Sequence, residues 1–332
     1  MSLLTAKISE RSDILVIFIS IAVTAAVLFI LFLIFAFCVF RKYFSGVKNP
    51  LKAEKKIIKK LRQADGENLA EQYEKNRQKF NENGGKEVTI FSRDELHLSG
   101  RLFLAENGSS DKSVILFHSE NSCAAFDFSA EFKMYREMNY NILLPDQRAH
   151  AGSEGRYSTM GIMESYDLVN WCKWLEMCFG TENKITIHGI SMGAFAAVAA
   201  AANSEMPKNV KCIIADSVYP LIRDFIGEKS KSELMFFAKP VSAFLNVFYK
   251  NHTGFDMRDF SLYTVAKSVK IPVLFIHPEK DKFSPLVNIE SLVKRIPVKS
   301  ELVTIKKAPH ATCFVRDEKL CTEEIKKFIG EA

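Results

Sequence analysis

Ser191 stands in Gly189-Ile190-Ser191-Met192-Gly193, between the apolar run 184–188 (KITIH) and the Ala-rich stretch 192–203. A serine hydroxyl is a weak nucleophile alone; it needs a base, and the base needs an orienting acid. Flanking glycines let the chain turn sharply, so the hydroxyl projects above a strand end. The Met192 N–H, at a helix N-terminus, faces the same point and can stabilise an oxyanion. His310 lies in the polar turn 306–311, after the last apolar run. Asp281 follows 271–277 (IPVLFIH), with Glu279 close by. The order serine, acid, histidine suits a G-x-S-x-G turn that opens a helix. Asp216, ending the run 210–216, is the alternative acid, or else a turn cap.

Other chemistries find less support. His118, His188 and His277 end apolar runs and read as structural groups; His97 and His252 read as surface residues. No cluster has metal-ligand spacing, and H-E-x-x-H, P-loop and G-x-G-x-x-G patterns are absent. No metal and no cofactor is expected. The net charge of +6 is modest and unevenly spread, so nucleic acid is not the expected partner.

The elements that must position Ser191 follow an alternating rhythm. Two short strands are expected at 87–92 and 96–105, a polar loop at 108–113, then strands at 113–118, 140–145, 184–188, 210–216, 271–277 and 301–305. Helices are expected between them, at 128–138, 161–179 and 192–203. Continuous apolar strands alternating with helices predict a mostly parallel sheet covered on both faces. Residues 217–270 break the rhythm. They carry Phe225, Phe236, Phe237, Phe244, Phe248, Tyr249 and Phe255 without a strand pattern, and predict a small helical cap over the strand ends where sites form.

Residues 14–40 contain no charge and are rich in Ile, Leu, Phe, Val and Ala. A helix over them rises about 40 Å, enough to cross a bilayer. A cleaved signal peptide fits poorly: the apolar run is too long and the preceding residues are nearly neutral. Only Lys7 and Arg11 precede the run, whereas Arg41, Lys42, Lys48, Lys52, Lys55, Lys56, Lys59, Lys60 and Arg62 follow it. That asymmetry predicts a single-pass anchor with the C-terminal part in the cytoplasm. The seven cysteines lack CxxC or zinc-ribbon spacing and read as free thiols, in keeping with that compartment. The expected organisation is a tail (1–13), a transmembrane helix (14–40), a basic helical linker (41–86) and a catalytic domain (87–332) with its cap at about 217–270. Ile57, Ile58 and Leu61 give the linker a thin apolar stripe, suited to a headgroup layer or to a solvated spacer. A hinge is expected at 81–86, around Gly84-Gly85.

The run 145–155, P-D-Q-R-A-H-A-G-S-E-G, resembles the P-D-x-R-x-H-G-x-S-x-G stretch of α/β-hydrolases related to serine aminopeptidases and monoglyceride lipases. With H-G-I-S-M-G, I-H-P-E-K-D and A-P-H-A the likeness covers about 87–330, and is nearest to bacterial membrane-anchored α/β-hydrolases. The resemblance implies the α/β-hydrolase fold, a Ser191–Asp281–His310 triad, and a second oxyanion N–H from Glu120, in His118-Ser119-Glu120-Asn121. Ser119, Ala151 and Pro278 stand where such families usually have glycine; a Cβ at 119 bears directly on the oxyanion loop.

The expected reaction is acyl transfer to water through an acyl-serine, on a small-molecule ester or thioester whose apolar chain suits the Phe-rich cap and a membrane partner. A peptidase would instead need an acidic group for a free amino terminus, with Glu228, Glu233 and Asp256 as candidates. A non-catalytic membrane scaffold is the reading from another class.

Overall fold

A computed structural model describes residues 2–65, 67–81, 85–106 and 110–331. The expected hinge at 81–86 falls largely on 82–84, and the loop at 108–113 partly on 108 and 109, outside the described residues. The chain opens with helices α1 (Ser2–Phe44), α2 (Pro50–Asp65) and α3 (Glu67–Asn81). Strands β1 (Lys86–Phe91), β2 (His97–Phe103) and β3 (Lys112–Phe117) follow, then helices α4 (Ala124–Asp127) and α5 (Glu131–Glu137). Next come β4 (Asn141–Pro145), α6 (Ile162–Phe179), β5 (Lys184–Ile190), α7 (Met192–Ala200) and β6 (Val210–Asp216). The cap contains α8 (Ile222–Leu234), a 3-10 turn at Met235–Phe237, α9 (Ala238–Thr253) and α10 (Leu262–Val265). The chain returns through β7 (Val273–Pro278), α11 (Leu286–Val293), β8 (Ser300–Ile305), α12 (Cys313–Arg316) and α13 (Glu318–Glu331).

Among the described residues eight strands form one sheet, in the order β1-β2-β4-β3-β5-β6-β7-β8. β1 and β2 pair antiparallel, and β2 meets β4 antiparallel; the remaining pairings are parallel. Every residue of β4 and β7 is buried. Strands covered on both faces cannot alternate, so they read as continuous apolar runs. One face packs against α6, α7 and α11, through residues such as Trp171, Phe195 and Ile289. The other packs against α5 and α13, through Phe132, Tyr135, Ile325 and Phe328. The cap is helical, as its break in rhythm predicts, and its base is pinned by an isolated bridge between Leu221 and Ser261.

The N-terminal segment differs from expectation in extent and attachment. α1 runs beyond Phe40 to Phe44, because no residue there breaks a helix before Gly46. Its stretch Ile14–Phe44 is long and apolar enough to cross a membrane. Its last turns bury Ala36, Val39, Phe40, Tyr43 and Phe44. Phe37 and Phe40 meet Phe248 of α9 at 5.4 and 5.9 Å, and Phe44 meets Tyr249 at 5.0 Å. Backbone bonds continue the join: Ser158 N–H donates to the Phe44 carbonyl, and Ala151 N–H to that of Val47, both at 2.7 Å. The segment expected as a linker is likewise folded onto the domain. Ile58, Leu61, Ala70 and Tyr73 are buried, and Tyr73 stacks on Phe126 at 4.8 Å. The thin stripe on α2 is therefore buried in this cluster with Ala70 and Tyr73 of α3, which carries it onto the domain.

Candidate active site

The turn at Ser191 is dictated by contact. Ser191 takes φ 54°, ψ −108°, between β5 and α7. A Cβ on Gly189 would lie 2.3 Å from the Gly193 carbonyl oxygen, and one on Gly193 would lie 1.8 Å from that of Phe117. Only glycine lets β3, β5 and α7 approach this closely. The turn is anchored further by Ser191 N–H, which donates to the Asp216 carbonyl at 2.9 Å.

Three sequence-predicted residues meet there in a line. Ser191 Oγ lies 2.8 Å from His310 Nε2, and His310 Nδ1 lies 2.6 Å from Asp281 Oδ2. The other Asp281 oxygen accepts the backbone N–H groups of Phe283 and Ser284, at 2.8 and 3.1 Å. Asp281 follows β7 and His310 follows β8, so both stand at carboxyl ends of parallel strands. Burial raises the Asp281 carboxyl, but the His310 charge and hydrogen bond outweigh it and hold its pKa below the ordinary value. Burial lowers His310, yet Asp281, then Glu120 and Asp216, raise its pKa overall. Phe225 of the cap and Phe283 flank the imidazole, each at 5.5 Å.

The alternative acid is placed elsewhere. Asp216 Oδ1 accepts the Ser217 hydroxyl at 2.6 Å, and burial pushes its pKa up to about 6. Its Ser217 partner also accepts Ala311 N–H at 3.0 Å, so Asp216 supports the histidine loop from beneath. His118 follows β3, whereas His188 lies within β5, which continues to Ile190; both are fully buried, and burial drives both pKa values down to about 3. His277 Nε2 lies 2.8 Å from the Ser284 carbonyl oxygen.

Glu120 enters the site by its side chain. Its Oε2 lies 3.2 Å from Ser191 Oγ, while Oε1 accepts Lys229 Nζ at 2.9 Å and Asn121 Nδ2 at 2.7 Å. Burial raises this carboxyl, but the Lys229 charge and hydrogen bond, His310, and Glu120's own backbone N–H bring it down to about 2. The amide expected to hold an oxyanion thus faces its own carboxylate. Met192 is the first residue of α7, so its N–H has no partner within the helix. Ser119 does not take a positive φ; its N–H donates to Asp127 Oδ2 at 2.7 Å, so the loop does not require glycine there. Ala151, by contrast, takes φ 37°, in the region that favours glycine. Pro278 closes β7 and is buried.

One serine proton cannot serve both His310 Nε2 and Glu120 Oε2. With Ser191 donating to Glu120, His310 must donate to Ser191 and is an imidazolium. Once His310 is neutral, the Glu120 carboxylate faces a lone pair and is repelled. Glu120 therefore favours the charged imidazole. Glu120→Gln removes the anion that raises the His310 pKa and leaves Lys229 to lower it further. With His310 as the expected base, which works when neutral, the acid limb of kcat/KM should move to lower pH. A limb that stays fixed or rises in a pH–rate profile contradicts this coupling.

Sequence reasoning missed Lys229, Asn121 and His150. His150 Nε2 sits 3.0 Å from the Glu120 carbonyl oxygen and Nδ1 2.9 Å from that of Arg148, bracing the loop. Its place in the quoted 145–155 motif was the available signal; Lys229 carried none. The three acids considered for an amino terminus are engaged elsewhere: Glu228 with Lys231, Glu233 with Lys42, and Asp256 with Arg258.

Comparisons with known proteins agree with this architecture. The chain is similar to the uncharacterized protein YqkD of Bacillus subtilis, 24% identical over 196 residues, covering 59% of this chain and 64% of that one. It is similar to protein bem46 of Schizosaccharomyces pombe, 22% identical over 200 residues, covering 60% and 61%. The match thus spans less than two thirds of either curated relative. Among solved structures, the esterase Pf2001 of Pyrococcus furiosus superposes with a TM-score of 0.62 at 26% identity, covering 76% of this chain and 94% of that one. The family model described as the prolyl oligopeptidase family matches residues 126–332. With more than half its length matched, and with the turn at 189–193, the sheet order and the helical cap described above, the chain belongs to the prolyl oligopeptidase family, on the α/β-hydrolase fold.

Proposed function

We propose that the protein is a membrane-anchored serine hydrolase that cleaves a carboxylic ester or thioester with an apolar acyl chain. The observation that carries the reading is the hydrogen-bonded line from Ser191 through His310 to Asp281. Ser191 attacks the acyl carbon while His310 takes its proton; His310 then protonates the leaving group, and Asp281 keeps the imidazole oriented. The Met192 N–H, and the Glu120 N–H once its carboxylate has turned away, hold the oxyanion. α1 is the anchor, and the basic residues after it favour a cytoplasmic catalytic domain. The esterase among the structural neighbours supports an ester; the family match keeps a peptide bond as the second substrate class.

A fluorophosphonate tests the reading, because its capture forms an Oγ–P bond and expels fluoride only at an activated serine. Wild-type protein should label, Ser191→Ala should not, and His310→Ala should label about 10^2- to 10^4-fold more slowly. Acyl esters of graded length, run beside aminoacyl substrates, separate the two substrate classes. A folded wild-type chain that resists several such probes would instead support the scaffold reading.

A further inference from the structure

Ser191 is fully buried, so a substrate needs an opening. A cavity of about 580 Å³ lies between the end of α1, the start of α2 and cap helix α8. Lys42, Lys52, Lys56 and Lys229 line it, with Asn121 and a single acid, Glu233. Lys42 is paired with Glu233. Lys52 and Lys56 are exposed and pair with no acidic group among the described residues. Lys229 is buried, its ammonium 5.4 Å from the Tyr43 ring centre and 5.6 Å from that of Phe225. Lys229 and Asn121 both hold Glu120 Oε1, whose other oxygen touches Ser191 Oγ. One carboxylate therefore links two residues that line the cationic cavity to the serine.

The position of the cavity is set by α1. The charge-free run 14–40 rises about 40 Å, close to the thickness of a bilayer with its headgroups. The cavity begins two residues later, at Lys42. The chain that continues from the lining Glu233 is apolar and open, with Met235, Phe236 and Phe237 at 71%, 90% and 59% exposure and Phe237 6.1 Å from Phe35 of α1. Cationic walls at headgroup level beside an apolar stretch suit a molecule with an anion at one end and a chain at the other.

We propose that this cavity is the entrance and anion subsite of the catalytic centre: an acyl ester bearing a phosphate binds Lys229, Lys52 and Lys56, and so displaces Glu120 from Lys229 and from Ser191. This rests on the acyl-serine reading. The anion replaces the carboxylate on Lys229 and repels it, which frees the Glu120 N–H and removes the charge that favours imidazolium. Binding of the right substrate and unblocking of the base become one event. A neutral ester or phosphonate gains nothing from the lysines and enters only when the ion pair opens by itself, so it reaches Ser191 more slowly. The phosphate can arrive on a bilayer lipid or on a soluble ester, since the cavity borders both phases.

The test uses full-length Ser191→Ala protein in phosphatidylcholine nanodiscs, so that binding is read without turnover. 1-Hexanoylglycerol 3-phosphate should bind at least about tenfold more tightly than 1-hexanoylglycerol, as a charge-assisted contact in a desolvated pocket implies. Lys52→Gln with Lys56→Gln should bring that ratio towards one, and Lys229→Gln should do the same. Equal affinity of the two esters, or a ratio untouched by both sets of substitutions, overturns the proposal. In a second arm, 1-palmitoylglycerol 3-phosphate is built into the nanodisc as competitor. Displacement of the soluble ester assigns the subsite to lipid, and its absence assigns it to soluble esters. Failure of wild-type protein to take a fluorophosphonate would overturn the acyl-serine reading separately, because the binding ratio does not depend on it.

Discussion

Asp281→Asn lowers kcat on the order of 10^4-fold and leaves the fold intact. The reason lies in how both carboxylate oxygens are held. Oδ1 accepts two backbone N–H groups, from Phe283 and Ser284. In the variant the amide oxygen keeps that place, because an NH2 group cannot accept those bonds. The NH2 then faces His310 Nδ1, where Asp281 Oδ2 stood at 2.6 Å. His310 must accept there, so its proton moves to Nε2, the atom that should take the proton of Ser191. The base is present in the wrong tautomer. Turnover of an acyl ester, measured beside far-UV circular dichroism, checks the result. Asp216→Asn should cost far less, since Asp216 is spent on Ser217. Equal losses from the two variants would move the acid to Asp216.

Arg148→Leu destabilises the protein by about 3–5 kcal/mol, with the loss growing as pH rises. Arg148 is buried and grips buried Asp167 with two bonds of 2.7 Å, while its other edge holds Asp94 at 2.9 and 3.0 Å. Burial pushes Asp167 up to about 6 even with Arg148 countering it. Removing the guanidinium strands a carboxylate that then rises further. A carboxyl whose folded-state pKa exceeds its unfolded value takes up a proton on folding. Its contribution worsens as pH climbs from the unfolded value to the folded one. The variant should therefore melt closer to wild type at pH 5 than at pH 8, and adding Asp167→Asn should recover part of the loss. A deficit that does not vary with pH would show that Asp167 is not the stranded group. Activity should fall as well, because the Arg148 carbonyl and His150 brace the Glu120 loop.

The parts of this molecule that were legible in its sequence are those whose physics is local. A tight turn between a buried strand and an Ala-rich helix admits few residues, so Gly189, Ser191 and Gly193 announce that turn. His310 and Asp281 were legible by position after apolar runs, because parallel strands deliver their following loops to one edge. The cap was legible as an interruption of rhythm. The motif points to Glu120 only by its amide, since a motif fixes where backbone goes but not which way a side chain turns. Lys229 lies 109 residues from Glu120, and no pattern in the chain links them. The stripe of α2 was ambiguous for a physical reason: an apolar edge on a basic helix looks alike whether it meets lipid or protein. The buried partners of Ile58 and Leu61 decide it.

On the proposed membrane anchoring, the passage of α1 into the domain has a kinetic consequence. A head on a slack tether searches a volume and meets substrate according to its bulk concentration. Here Phe40, Phe44 and the bonds to Ser158 and Ala151 fix the height and tilt of the head relative to the helix. Such a molecule reads a thin shell of constant depth. Its rate should follow the two-dimensional density of substrate within that shell, falling as inert lipid dilutes it at constant total amount. Shortening the helix by a turn should shift the shell by about 5.4 Å rather than merely loosen the anchor.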